Sequence, residues 1–236
     1  MTTNYLISAI GLKRTFGQGD SLVNALGGVS LDVSSGELIA IMGASGSGKS
    51  TLLAALGGLD VVDEGQVFIE GHSVSDMKSK EASRLRRQSL GFIFQDLNLV
   101  SSLTIEENVA LPLELDGIQP RDLKVQVARA LDEMGITAIS KRYPDQVSGG
   151  QRQKAAVARC FIGERKILLA DEPTGALDSR SSEDVIRQIR SKVDQGLAGV
   201  IVTHDAKIAG WADRILVMRD GEIVEEVKAS KSGSVR

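Results

Sequence analysis

An α/β fold with a mainly parallel sheet, an N-terminal antiparallel β subdomain and an inserted α-helical subdomain is what the sequence predicts, on three observations. Short apolar runs of strand length alternate with helical patterns over most of the chain, the arrangement of a parallel sheet with crossover helices. One of those strands runs straight into a glycine-rich stretch that opens a helix. Between residues 96 and 159 the strands stop, and helices and loops alone follow one another.

Taken in order, Tyr5–Phe16 and Gly28–Val33 read as short strands, with the Gly17-Gln18-Gly19-Asp20 cluster turning between them. Glu37–Met42 is a compact apolar strand, and Lys49–Leu56 begins a helix after the glycines. Val67–Glu70 is a strand ended by Gly71, Ser79–Gln88 a charged surface helix, and Gly91–Phe94 a buried strand. Thr104-Ile105-Glu106-Glu107 fits a capping box, in which Thr104 and Glu107 exchange bonds with each other's backbone N–H. Pro120 suits a first helical turn, and Leu123, Val127, Leu131 and Met134 recur at helical spacing until Gly135. Strand and helix then alternate through Lys166–Ala170, Ser181–Val193, Gly199–Thr203, Ala206–Trp211 and Ile215–Met218. Asp220-Gly221 is a hairpin turn into Glu222–Val227, and the tail 229–236 reads as disordered.

The 236 residues suffice for one large domain with a sizeable core. Only 3% are aromatic, so that core must be mostly aliphatic. A net charge of −3 and a pI near 5.5 give no reason to expect a nucleic-acid partner. The single cysteine, Cys160, excludes an internal disulfide, suits a reducing compartment and reads as a small buried apolar residue. Met1–Ile10 lacks the pattern of a signal peptide. Apolar runs such as Ile167–Ala170 and Val200–Val202 fall well short of the roughly 20 residues that span a bilayer. A cytosolic chain is expected, with any membrane role supplied by a partner.

Gly43-Ala44-Ser45-Gly46-Ser47-Gly48-Lys49-Ser50, followed by Thr51, fits the phosphate-binding loop pattern between strand and helix. Backbone N–H groups there can turn inward and cradle phosphate oxygens where the helix dipole also favours anions. Lys49 is expected to reach the β- and γ-phosphates, and the Ser50 hydroxyl to bind Mg²⁺. The fold is thus that of a phosphate-loop NTPase core. Ile167-Leu168-Leu169-Ala170-Asp171-Glu172 is an apolar strand ending in two carboxylates. It would deliver Asp171 to the metal, and Glu172 can polarise a water aimed at the γ-phosphorus. Adjacent acids after a strand are more often solvated loop residues; the phosphate loop favours the catalytic reading.

Val147-Ser148-Gly149-Gly150-Gln151 resembles the signature motif of ABC (ATP-binding cassette) ATPases, and the resemblance covers Leu6 to Val227. It implies a head-to-tail dimer in which Ser148, Gly149, Gly150 and Gln151 of one copy close on ATP held by the other. It further implies that Gln95 senses Mg²⁺ and the attacking water, and that Asp178 lies in a loop crossing the dimer interface. His204 matches a histidine that contacts the γ-phosphate, and Phe16 an aromatic residue that stacks on adenine. The chain departs from the family at Val147, where Leu is commoner, and at Lys154, where Arg is. The implied division is a nucleotide-binding core over 1–95 and 160–228 and a helical part over 96–159.

Leu97, Leu99, Val100 and Leu103 are aliphatic residues in a loop and hard to bury within one domain. The resemblance makes this loop the place where an integral-membrane permease docks. The alternative is that these residues cement the helical part to the core. Phe92–Leu99 and Ala170–Ser179 resemble one branch, which includes macrolide-export and lipoprotein-release ATPases. That implies an ATP-hydrolysing exporter subunit at the cytoplasmic face of the membrane. An importer ATPase and a cell-division mechanotransmission ATPase remain the alternatives. A soluble phosphotransferase has no use for the signature motif. The cargo is not written in these residues.

Overall fold

The computed structural model describes residues 5–18 and 21–228, so the tail 229–236 and the Gly19-Asp20 part of the first turn lie outside the described residues. Two sheets form. The first is antiparallel, with β1 (Tyr5–Phe16), β2 (Val23–Ser34), β4 (Glu64–Ile69) and β5 (His72–Ser73) in the order β2-β1-β4-β5. The second has the order β10-β9-β3-β8-β7-β6. Its members are β3 (Leu38–Gly43), β6 (Leu90–Ile93), β7 (Ile167–Asp171), β8 (Ala198–Val202), β9 (Arg214–Arg219) and β10 (Glu222–Lys228). All its pairings are parallel except that of β10 with β9, which Asp220-Gly221 turns as a hairpin.

The strands of this sheet are apolar on both faces because both are covered. Ile39 and Ile41 of β3, with Ile167 and Leu169 of β7, face a core shared with the antiparallel sheet and α1 (Lys49–Leu56). Their neighbours Leu38, Ala40, Leu168 and Ala170 join the opposite core, built with α3 (Ile105–Leu115), α4 (Pro120–Glu133), α5 (Gly149–Phe161) and α6 (Ser179–Asp194). Alternation of side chains along each strand is what splits one continuous apolar run between two cores. α2 (Ser79–Ser89) flanks β6, and α7 (Ala206–Ala209) is a single turn after β8. No helix among the described residues is long and apolar enough to cross a membrane.

Most elements fall where the sequence puts them, and α1 matches residue for residue. The Thr104 capping box forms: the Glu107 carboxylate accepts from Thr104 N–H at 2.7 Å and Thr104 Oγ1 accepts from Glu107 N–H at 3.4 Å. β2 differs, starting at Val23 rather than Gly28. The sequence reading begins this strand only at Gly28, yet Val23–Gly27 pair with the end of β1, and that pairing carries the strand through the glycines. α7 stops at Ala209, two residues short of Trp211, because Gly210 ends it.

Candidate nucleotide-binding site

The C-terminal ends of β3, β7 and β8 open onto one cleft of about 380 Å³, the position where open parallel sheets hold ligands. β3 delivers the glycine-rich loop. Gly48 stands at φ 98°, and a Cβ there would sit 2.2 Å from the Ala25 carbonyl oxygen, so only glycine lets the loop pass β2 this closely. It is also the N-cap of α1 and offers no side-chain cap, so the first-turn N–H groups face the cleft for an anion to satisfy. Lys49 Nζ donates to the carbonyls of Gly43 at 3.0 Å and Ala44 at 2.7 Å, folding back over the loop it would share with phosphate. Gly43, Ser45, Gly46, Ser50 and Thr51 line the cleft too; Ser47 is buried beneath it and Ala44 contributes its carbonyl.

β7 ends in Asp171, only 9% exposed. Burial pushes its carboxyl above the usual range, while a bond from the Ser50 hydroxyl opposes that shift and the Glu172 charge adds to it. Glu172 sits in the left-handed region at φ 48°, a conformation costly for a residue with a Cβ. Its carboxylate is held from three sides: His204 Nδ1 at 2.7 Å, His204 N–H at 3.1 Å and the Thr203 hydroxyl at 3.3 Å. The Glu172 contact raises the His204 imidazole above its ordinary value. Gln95 also lines the cleft, two residues past the end of β6. Ser50, Asp171, Glu172, Gln95, Lys49 and His204 are therefore brought together.

Phe16 is not among the residues lining the cleft. It lies at the end of β1, opposite Val23, which does line it, and is 42% exposed. Val23, Ala25 and Thr203 are contributors that the sequence reading missed; Thr203 could have been found from its place between a strand and His204.

The Ser148–Gln151 turn lies elsewhere, at the N-terminus of α5. Ser148 Oγ accepts from Gln151 N–H at 3.2 Å, and the Gln151 side-chain oxygen accepts from Ser148 N–H at 2.9 Å. Asp178 caps α6, accepting from Ser181 N–H at 3.0 Å. A second hollow of about 430 Å³ lies between these turns, lined by Ser148, Gly150, Gln151 and Asp178, and shares no lining residue with the first. Gln153 of α5, 2% exposed, donates to the Pro173 carbonyl at 2.6 Å and ties the two regions together just after Glu172.

The loop after Gln95 is bent by two left-handed residues, Leu97 at φ 61° and Asn98 at φ 45°. Arg159, in the last turn of α5, donates to both of their carbonyls at 2.5 Å. Leu99 packs against the helix-side core and Val100 is 40% exposed, while Leu97 and Leu103 are half-buried. A groove of about 400 Å³ beside this loop is bordered by Phe92, Phe94, Leu111 and Leu115 together with Arg86, Arg87, Arg159 and Arg165.

Comparison with known proteins agrees with this layout. The family described as ABC transporter matches residues 26–175. The macrolide export ATP-binding/permease protein MacB of Escherichia coli K12 is 40% identical over 98% of this chain. Its namesake in Brucella melitensis is 41% identical over 94%. The chain spans about a third of the length of these relatives, 36% and 34% respectively. A dimeric ATP-binding cassette solved in a post-hydrolysis state with ADP and Pi superposes with a TM-score of 0.91 at 35% identity, covering 95% of this chain and 99% of that one. A glycine loop at the end of β3, two acids at the end of β7 and a self-capped signature turn on α5 stand on a backbone of that shape. The chain belongs to the ABC transporter family and is an ATP-binding cassette of it.

Proposed function

We propose that this chain binds ATP with Mg²⁺ in the cleft at the end of β3, hydrolyses it in a head-to-tail pair with a second copy, and thereby drives export through a membrane permease. The observation that carries the reading is Glu172, an acid kept in a left-handed conformation with its carboxylate fixed by Thr203 and His204 at the rim of a phosphate-loop cleft. Such fixed placement suits a group that aligns water for in-line attack, because phosphoryl transfer gains mostly from alignment and charge neutralisation.

The residues present fit Mg²⁺. Ser50, Gln95 and Asp171 offer hydroxyl, amide and carboxylate oxygens, the hard donors this ion takes. When bound, Mg²⁺ would offset phosphate charge. The chain's own part is to seat the phosphates on the α1 N-terminus, neutralise them with Lys49, orient water through Glu172 and present His204 to the γ-phosphate.

The two separate hollows support pairing. The Ser148–Gln151 turn and Asp178 line a hollow that shares no residue with the cleft of their own chain, which suits a contribution to ATP held by a second copy. The Asp96–Leu103 loop and its arginine-lined groove are where the permease would dock, with Val100 the aliphatic residue most available to it. Export is favoured by the MacB relatives, whose names join ATP binding and permease, and would place the cassette at the cytoplasmic face of the membrane. The division into a core over 1–95 and 160–228 and a helical part over 96–159 belongs to the same reading.

Glu172→Gln tests it. The variant should bind MgATP normally, turn it over at least about a hundredfold more slowly and accumulate as an ATP-bound dimer. Turnover near that of the unmodified chain would move the role to another residue.

A further inference from the structure

Phe16 stands apart from the cleft, and what holds its ring is built from a segment with no other evident task. The guanidinium of Arg14 lies over the Phe16 ring, 4.7 Å from its centroid. Residues two apart on a strand share a face, so β1 puts this pair side by side. The far side of the guanidinium is fixed by two carboxylates of the segment joining α1 to β4: Asp60 at 3.0 Å and Asp63 at 3.0 Å. Asp63 is itself anchored, its other oxygen accepting from Thr15 N–H at 2.7 Å and its own N–H donating to the Lys13 carbonyl at 2.8 Å. Beyond Phe16 the chain turns at Gly17, φ 90°, where a Cβ would lie 2.2 Å from the Ser21 carbonyl oxygen, so no side chain can crowd the ring from that position.

We infer that Arg14 is the positioning residue for the purine ring of the nucleotide: it covers one face of Phe16 and sets the other for the base. The inference rests on the reading of Phe16 as the stacking residue and names what makes that reading work. An exposed phenyl ring at a strand end is free to change rotamer, and a base that stacks on it must first immobilise it. Here the immobilisation is already made, because a cation over an aromatic face is attracted by its quadrupole and this cation cannot swing away from Asp60 and Asp63. The Asp60–Asp63 segment leaves the C-terminus of α1, whose N-terminus holds the phosphates. Base platform and phosphate seat are therefore referenced to one helix. A stack reads only a π-face, so adenine and guanine should be held alike.

The alternative is that Arg14 merely staples β1 to the segment after α1. Binding of ATP, GTP and inorganic tripolyphosphate to the isolated chain, measured by calorimetry, separates the two. Arg14→Met keeps an unbranched apolar stem without the charge. It should weaken ATP and GTP by about threefold to fivefold and leave tripolyphosphate within about twofold. Phe16→Ala should weaken both nucleotides about tenfold, and the double variant should bind no worse than Phe16→Ala, because Arg14 acts only through the ring. Equal weakening of ATP and tripolyphosphate, additive losses in the double variant, or unchanged ATP affinity in Arg14→Met would overturn the inference. An unchanged ATP affinity in Phe16→Ala would instead sink the stacking reading beneath it. Should Arg14→Met melt too early to measure, Asp60→Asn frees one arm of the fork. It should show the same selective loss for nucleotides in smaller measure, and an equal loss of tripolyphosphate would again overturn the inference.

Discussion

The N-termini of α1 and α5 both carry glycines, in the loop before α1 and in the first turn of α5, and both are proposed to meet ATP phosphates. They are finished in opposite ways. α1 is capped by Gly48 with no side-chain bond, and its start lies on β2 and the sheet, where Gly48 nearly touches Ala25. α5 is capped by Ser148 and Gln151, which satisfy each other's backbone N–H groups at the surface. An uncapped N-terminus leaves donors that only an anion or water can satisfy; a capped one is already content. The difference supports the proposal that the phosphate seat is an affinity site within one chain. The signature turn has only its remaining first-turn donors and the Ser148 hydroxyl proton to add once ATP is brought to it.

The sharpest way to break that comparison is Lys49→Ala. Lys49 is the cation proposed for the α1 seat, and its Nζ donates to the loop carbonyls of Gly43 and Ala44. Its removal should weaken ATP by about tenfold to a hundredfold, the range for a lost charge-assisted bond. A direct titration with unchanged affinity would mean the α1 turn does not hold the triphosphate.

Ser148→Arg probes the other helix. ATP affinity of the single chain should stay within about twofold while turnover is lost, since a bulky cation replaces the residue proposed to meet the second copy's nucleotide. Mixing this variant with Lys49→Ala puts both lesions in one shared site of the mixed dimer and neither in the other. Partial recovery of turnover on mixing is the expected result; inactivity at every ratio, with mixed dimers shown to form, would refute the shared site. Ser148→Ala should cost only about 1 kcal/mol of stability through the lost cap. That milder change separates folding from closure.

Motifs with tight local geometry were legible. The bounds of α1, the Thr104 box, the 220–221 hairpin and the apolar strands before Gly43 and Asp171 all follow from neighbours in sequence, where periodicity, caps and glycine leave few choices. Relations between distant segments were not. The strand order β10-β9-β3-β8-β7-β6 depends on which edge each crossover takes, and no local pattern encodes that. Likewise Arg159 reads as one more helix cation until the fold places it on the Leu97 and Asn98 carbonyls, 62 and 61 residues earlier in the chain. Gln153 is equally silent until Pro173 arrives beside it. Leu99 shows the limit of composition: four aliphatic loop residues suggested one exposed patch, yet Leu99 packs inward while Val100 stays out. Arg14 had a readable signal, its i, i+2 relation to Phe16, but the carboxylates that fix it come from Asp60 and Asp63, beyond the reach of strand alternation.

The smallest effect concerns the rim of the cleft rather than its floor. His204 has a side chain 80% exposed, and its Nδ1 meets Glu172 at 2.7 Å. The bond to Glu172 and that residue's charge raise the imidazole above its ordinary 6.5. A histidine raised on folding contributes stability that is fully present below its unfolded value and fades as pH rises through the folded one. The charge-assisted bond therefore helps hold Glu172 most strongly below the raised His204 value, and above it only the uncharged contacts, including the His204 N–H and the Thr203 hydroxyl, are left. Exposure to water and salt keeps the contribution to overall stability small. In imidazole NMR titrations of the ATP-free chain, His204 should show a midpoint above 6.5 that falls toward 6.5 in Glu172→Gln and also falls at high salt. If the His204 midpoint were the same in both proteins, the carboxylate would not be holding the imidazole, and the fixed position of Glu172 would have to come from Thr203, the His204 backbone N–H and the strained backbone.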